Sequence, residues 1–165
     1  MKNIFIVMFI LIASTAQAQQ PFKKQDLIGA WSYVTSYSQF PDGRKENQFS
    51  DKPRGIFIIL PNGLYSHIIM ADDLPRVRSG RFKESTIEEA EKIAEGALAH
   101  FGTYEVDETA GTFTVKIIKS SFPNFDGAVQ KRTVIELTAN TLSYINDLSV
   151  AAPGAIVVAV LRRVW

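Results

Sequence analysis

Cysteine is absent from the 165 residues, so neither disulfides nor thiolate chemistry are available to this chain. Histidine is scarce. His67 and His100 are the only two, and a four-ligand zinc site would have to recruit Asp72 or Asp73 with no matching spacing. No excess of charge exists either: 18 Lys and Arg stand against 17 Asp and Glu. A chain so balanced offers no electrostatic footprint for nucleic acid or an anionic membrane. A Gly-x-Ser-x-Gly elbow is missing. A triad of Ser66, His100 and Asp107 can be written on paper, but nothing in the sequence positions it. We therefore expect no metal, no cofactor and no nucleic-acid partner.

Long hydrophobic runs are missing as well. Ile4 to Ala13 is an apolar run of ten, about half of what a membrane-spanning helix requires. It follows the short basic start Met1-Lys2-Asn3 and precedes Ala16-Gln17-Ala18, where small residues suit a signal peptidase. Residues 1–18 are thus expected to be a cleaved signal peptide, and 19–165 a single domain. Without Lys2 the two charge signs balance at seventeen each. The expected location is periplasmic or secreted, with no stable membrane anchor after cleavage. An exported chain without disulfides must be held by its core, and this length can bury enough surface.

What is present is alternation. Around an acidic turn, Tyr104 and Val106 alternate with Thr103, Glu105 and Asp107. In the next segment Phe113, Val115 and Ile117 alternate with Thr112, Thr114 and Lys116. Period two marks strands with one dry and one wet face. Leu27 to Ser38 reads as a first strand with Trp31, Tyr33, Thr35 and Tyr37 on one face. After the Phe40-Pro41-Asp42-Gly43 turn, the chain to Pro53 reads as an irregular loop. Gly55–Leu60 and Leu64–Met70 flank Asn62-Gly63, a strong hairpin signal. Further strands are expected at Val129–Leu137, Leu142–Asn146 and Ala155–Val164. In one place only does the period change. Ile87, Ala90, Ile93, Ala94, Ala97, Leu98 and Phe101 form a helical stripe behind a Thr86/Glu89 capping box. The fold class expected is all-β: about eight antiparallel strands closed into a barrel, with one helix at Thr86–Leu98.

Gly29-Ala30-Trp31 resembles the Gly-x-Trp opening of calycins, the lipocalin-type barrels. Their tryptophan packs under the barrel floor against an arginine of the final strand, a position open here to Arg162 or Arg163. Pro61–Ser66, Phe101–Asp107, Phe122-Pro123-Asn124-Phe125 and Gln130-Lys131-Arg132 follow the order of a bacterial and fungal lipocalin-like domain family. This resemblance implies an eight-stranded calycin barrel whose helix lies near the mouth as a short lid. It also implies a departure. Family members often carry a histidine in the strand before the Phe-Pro-Asn corner, and Val115 stands there in this chain.

A barrel of this size can hold one small molecule. The expected partner is a small hydrophobic ligand, with Tyr33, Ser66, Tyr104 and Arg132 as candidate contacts. Each has a plainer reading. Tyr104 shares the face of Val106 and could be a core tyrosine bonded to a neighbouring strand. Ser66 shares the face of Leu64, Ile68 and Met70, and could be satisfied by backbone. Arg132 is a carboxylate anchor or half of an internal ion pair if it points inward, and solvated edge if outward. Alternation favours outward and the resemblance favours inward. Two other functions stay open. One is an isomerase, cyclase or dehydratase using a tyrosine and an arginine in a dry cavity, which would need a titratable base. The other is a barrel filled by its own aromatics, acting through its surface.

Overall fold

The computed structural model describes residues 22–147 and 154–164; the signal-peptide reading of 1–18 lies outside them. A four-residue helix α1 (Lys24–Leu27) leads into β1 (Gly29–Gln39), then a short β2 (Lys45–Asn47), β3 (Arg54–Ile59) and β4 (Leu64–Met70). Helix α2 (Ile87–Glu95) precedes β5 (Ala97–Asp107), β6 (Thr112–Ser120), β7 (Val129–Leu137), β8 (Thr141–Asn146) and β9 (Ile156–Arg163). Every pairing is antiparallel, neighbours follow chain order, and β1 also pairs with β9. That last ladder closes eight strands into a barrel. The small β2 lies outside the circle, paired with the end of β1.

The meander gives the barrel two unlike ends. Short hairpin turns between β3 and β4, β5 and β6, and β7 and β8 gather at one end with α1. This is the floor. Trp31 is fully buried there and its indole N–H donates to the Leu27 carbonyl at 2.9 Å. Arg163 lies with its guanidinium carbon 4.0 Å from the indole centroid. Its nitrogens donate to the carbonyls of Ala139, Ile28 and Asp26 at 2.7, 2.8 and 2.7 Å. Gly29 explains the first letter of the motif. Its φ is +144°, and a Cβ there would fall 2.5 Å from Arg163 Nη1, a nitrogen already pinned by hydrogen bonds. The Gly-x-Trp opening and the closing arginine are therefore one structural unit, and Arg163 is the partner.

The long connections, 40–53, 71–96 and 121–128, meet at the opposite end and form the mouth. The expected helix stands there, capped as predicted: Thr86 Oγ1 accepts from Glu89 N–H at 3.2 Å, and Glu89 Oε2 accepts from Thr86 N–H at 2.9 Å. It ends at Glu95, however, and Leu98 and Phe101 belong to β5. No residue of α2 is buried. Two further boundaries differ from expectation. Leu27 closes α1 instead of opening the first strand, and the polar loop before Pro53 contains β2.

Bulges shift the faces that simple alternation assigns. In β1 the register against β9 slips between Tyr33 and Thr35. Trp31 and Tyr33 point inward, and past the bulge Ser36 and Ser38 do so instead of Thr35 and Tyr37. A second slip in β7, between Val134 and Glu136, lets Val134 and Leu137 both meet the core although they are three residues apart. A bulge inserts one residue on one strand, so the two-residue period changes phase there.

Candidate functional site

The floor half of the barrel is solid. Trp31, Phe57, Ile59, Phe113, Val115, Leu142 and Leu161 are essentially without exposure, and they fill the interior as side chains fill other small barrels. Above them, toward the mouth, is a cavity of ≈ 100 Å³. Its inner part is polar, lined by Tyr33, His67, His100, Gln130, Arg132, Tyr144 and others. Its outer part is apolar, where the half-buried Phe49 and Phe125 come from two of the mouth segments and Leu98 from the start of β5.

Two of the four candidate contacts line this cavity. Tyr33 does, with its hydroxyl 2.5 Å from His67 Nε2 and 2.9 Å from the Tyr144 hydroxyl. Arg132 does as well. It points inward with Gln130 and Val134, 3 % exposed, and the open choice between faces is resolved. Tyr104 lies at the floor instead, donating to the Leu60 carbonyl at 2.7 Å, which is the core-tyrosine reading. Ser66 requires a correction. It is half-buried on the outer face, paired with Ile58 and Phe101. The inner face of β4 carries Tyr65, His67 and Ile69. Tyr37, expected inward, is also on the outer side of its strand, beneath the Lys45 ammonium.

The histidines are what sequence reasoning missed. They sit on different strands but directly opposite each other in the β4–β5 register. Their rings stack at 4.3 Å with 21° between planes. His100 Nδ1 lies 2.9 Å from the Tyr65 hydroxyl, while His67 Nδ1 is buried without a hydrogen-bond partner. Burial, the other ring and the Arg132 charge hold the His67 pKa well below the ordinary value. Burial and Arg132 lower that of His100 to about 3. Both rings are thus neutral near pH 7. Burial likewise raises the Tyr33 hydroxyl well above 10, and the Tyr65 hydroxyl to about 12. Among the described residues Arg132 is the one buried side chain with a permanent charge.

That charge has no acid beside it. Among the described residues the buried polar set contains no aspartate or glutamate, and none of the ion pairs involves Arg132. Residues 1–21 and 148–153 hold no acidic side chain either. The guanidinium carbon instead lies 5.0, 5.1 and 5.7 Å from the ring centroids of Phe57, Tyr144 and Phe113. Nη2 reaches Gln130 Oε1 only at 3.4 Å, an oxygen shared with Asn146 Nδ2 at 3.3 Å. Nε and Nη1 have no hydrogen-bond partner. Aromatic faces offset part of the desolvation of a buried cation, by about 2 kcal/mol in favourable cases. Removing an ion from water costs several kcal/mol even after relaxation.

One strained residue shapes the mouth. Phe49 has φ +68°, a conformation that costs a bulky side chain roughly 1–3 kcal/mol. The turn is held by the Gln48 N–H donating to the Ser36 carbonyl at 2.8 Å and by the Ser36 hydroxyl donating to Gln48 Oε1 at 3.0 Å. The strain directs the phenyl ring over the cavity.

With closed barrel, Gly-x-Trp floor and cavity in hand, comparison with known proteins agrees. The chain belongs to the lipocalin-like domain family, whose profile matches residues 28–158. No curated protein matches. Among solved structures it is similar to a de novo designed fluorescence-activating β-barrel (16 % identity, 84 % of this chain and 94 % of that one, TM-score 0.41). A redesigned β-barrel is similar at 13 % identity, over 84 % and 92 % of the two chains, with TM-score 0.42. A biogenic amine-binding protein is similar at 15 % identity, over 87 % and 67 %, with TM-score 0.46. The fold is consistent with small-molecule binding.

Proposed function

We propose that this protein binds one small, largely apolar molecule inside the mouth half of its barrel, and does so in the periplasm or outside the cell. The observation that carries this reading is the division of the interior. The floor half is packed solid, whereas the mouth half keeps ≈ 100 Å³ open beneath three half-buried apolar side chains. Drug-sized ligands occupy pockets of about 300–1,000 Å³, so this ligand is small or inserts only one end. Burial of its apolar surface would supply about 25 cal/mol per Å², with the polar inner groups fixing its orientation. The export half of the proposal rests on the basic start, the apolar run and the small residues of 1–18.

Native mass spectrometry of protein exported by a bacterial host and purified without detergent tests the binding half. A reproducible extra mass that leaves on denaturation is the expected result. Protein that is uniformly empty, and that takes up no small amphiphile added to it, would overturn the reading.

A second reading has its own observation. The base that proton transfer requires is absent at Val115 but present in His67, joined to Tyr33 and Tyr144 by hydrogen bonds. Such a chain, beside Arg132, has the parts for enolisation of a small carbonyl compound: a neutral base, and a cation for the developing oxyanion. Deuterium uptake from D₂O into acetoacetate, followed by NMR, would be accelerated by the protein and lost in His67→Gln. Uptake at the uncatalysed rate would remove this reading.

A further inference from the structure

Arg132 narrows what the ligand can be. It is a buried cation in the wall of the cavity, its side chain 3 % exposed. No acidic side chain pairs with it among the described residues, and the segments outside them carry none. Polar side chains of five strands stand around it: Tyr33 on β1, Tyr65 and His67 on β4, His100 on β5, Gln130 beside it on β7, and Tyr144 and Asn146 on β8, while Phe57 of β3, Phe113 of β6 and Val157 of β9 add only apolar surface. None of these is a carboxylate. The interior therefore carries one uncompensated positive charge, with an apolar rim on its outer side.

We infer that the ligand is a small amphiphilic carboxylate, its charged end against the Arg132 guanidinium and its apolar body between Phe49, Leu98 and Phe125. This rests on the cavity being the binding site. A monoanion neutralises the single charge, whereas a dianion would leave a buried excess of the opposite sign. A neutral molecule leaves the guanidinium without the partner that a buried cation requires. An amine adds a second cation to the first. The permanent charge of arginine keeps this preference at any pH where the carboxylate is ionised. The side-chain amides of Gln130 and Asn146 lie beside the guanidinium and can adjust their hydrogen bonds when an anion arrives. The strained Phe49 then covers the apolar end.

Three probes of one length separate these cases: hexanoate, hexanamide and hexylamine, titrated calorimetrically into the whole protein at pH 7. Hexanoate should bind about ten- to a hundredfold more tightly than hexanamide, the range spanned by charge-assisted hydrogen bonds. Hexylamine should be the weakest. Arg132→Met, which keeps an unbranched side chain without the charge, should remove the gap between acid and amide. Equal or tighter binding of the amide overturns the carboxylate assignment while leaving the cavity reading intact. No binding of any probe up to about 10 mM, beyond the weak end of specific affinity, overturns both. Should Arg132→Met fail to fold, the wild-type protein still decides. Its Arg132 Nε–H resonance should shift with the same apparent Kd as the calorimetric binding, and a resonance unmoved at saturation contradicts the proposal.

Discussion

Trp31→Ala is expected to lower stability by about 3–5 kcal/mol, the range for truncating a fully buried large aromatic. Two further losses push it toward the upper end. The Leu27 carbonyl loses the indole N–H that satisfies it, and a polar group left unsatisfied in the interior costs about 1–3 kcal/mol. Arg163 loses the ring on which its guanidinium lies, although its three carbonyl partners keep it in place. Because β1 pairs with both β3 and β9, the damage falls where the barrel closes. Urea unfolding of the variant and of Trp31→Phe gives the check. Phenylalanine retains most of the apolar area and should recover roughly half the loss. A change below about 1 kcal/mol for alanine would mean that the floor is not the structural keystone described here.

Acid should destabilise the protein well above the usual carboxylate range. His67 and His100 have folded pKa values held below the ordinary value of about 6.5, that of His100 at about 3. In the unfolded chain both take up protons as pH falls through about 6.5. The unfolded state then binds more protons than the folded state, so stability declines as pH falls. The loss begins near pH 6.5 and continues toward about 3, where His100 charges in the folded barrel. With its folded value at about 3, His100 alone contributes a slope approaching 1.4 kcal/mol per pH unit, about 2 kcal/mol between pH 7 and 5, and His67 adds to the loss in the same direction. Urea unfolding across that interval, at constant ionic strength, measures it. Replacing His100 by glutamine should remove about half of the slope. Stability that is level from pH 7 to 5 would show that the rings are charged or solvated, and the neutral-interior account would fail.

The barrel was legible because its turns and alternation agree. Asn62-Gly63 fixes the β3–β4 hairpin, and β4 runs over the expected Leu64–Met70. The strand at Val129–Leu137 also matches residue for residue. Faces were harder to assign than strands. In β4 both faces are largely apolar, with Leu64 and Met70 exposed on the outer side and Tyr65 and Ile69 buried on the inner. Alternation alone has no phase there, and the wrong one turned Ser66 inward and hid His67. A signal for the other histidine existed nonetheless. Counting back by two from Tyr104 through Gly102 reaches His100 on the same inner face. In β1 and β7 the obstacle was different. Bulges reverse the phase partway along, and one extra residue leaves no mark in the composition. Arg132 was ambiguous for a related reason: Ile135 and Thr133 on the opposite face look like core, yet Ile135 is 52 % exposed.

Why so polar an interior persists follows from the same geometry. Tyr33 is hydrogen-bonded to both His67 and Tyr144, and Tyr65 to His100. Networks of this kind rigidify a site when every member is paired. Arg132 Nε and Nη1 and His67 Nδ1 are the atoms that are not. They adjoin the open volume, and buried polar groups without partners are exceptions that call for an explanation. A bound molecule is the explanation offered here.

The most direct test is a crystal structure of the protein grown with hexanoate. The account predicts ligand density inside the barrel, its carboxylate within hydrogen-bond distance of Arg132 and its chain running out past Phe49, Leu98 and Phe125. An interior unchanged from the free protein, with hexanoate absent or confined to the outer surface, would contradict it and leave a barrel that works from its outside.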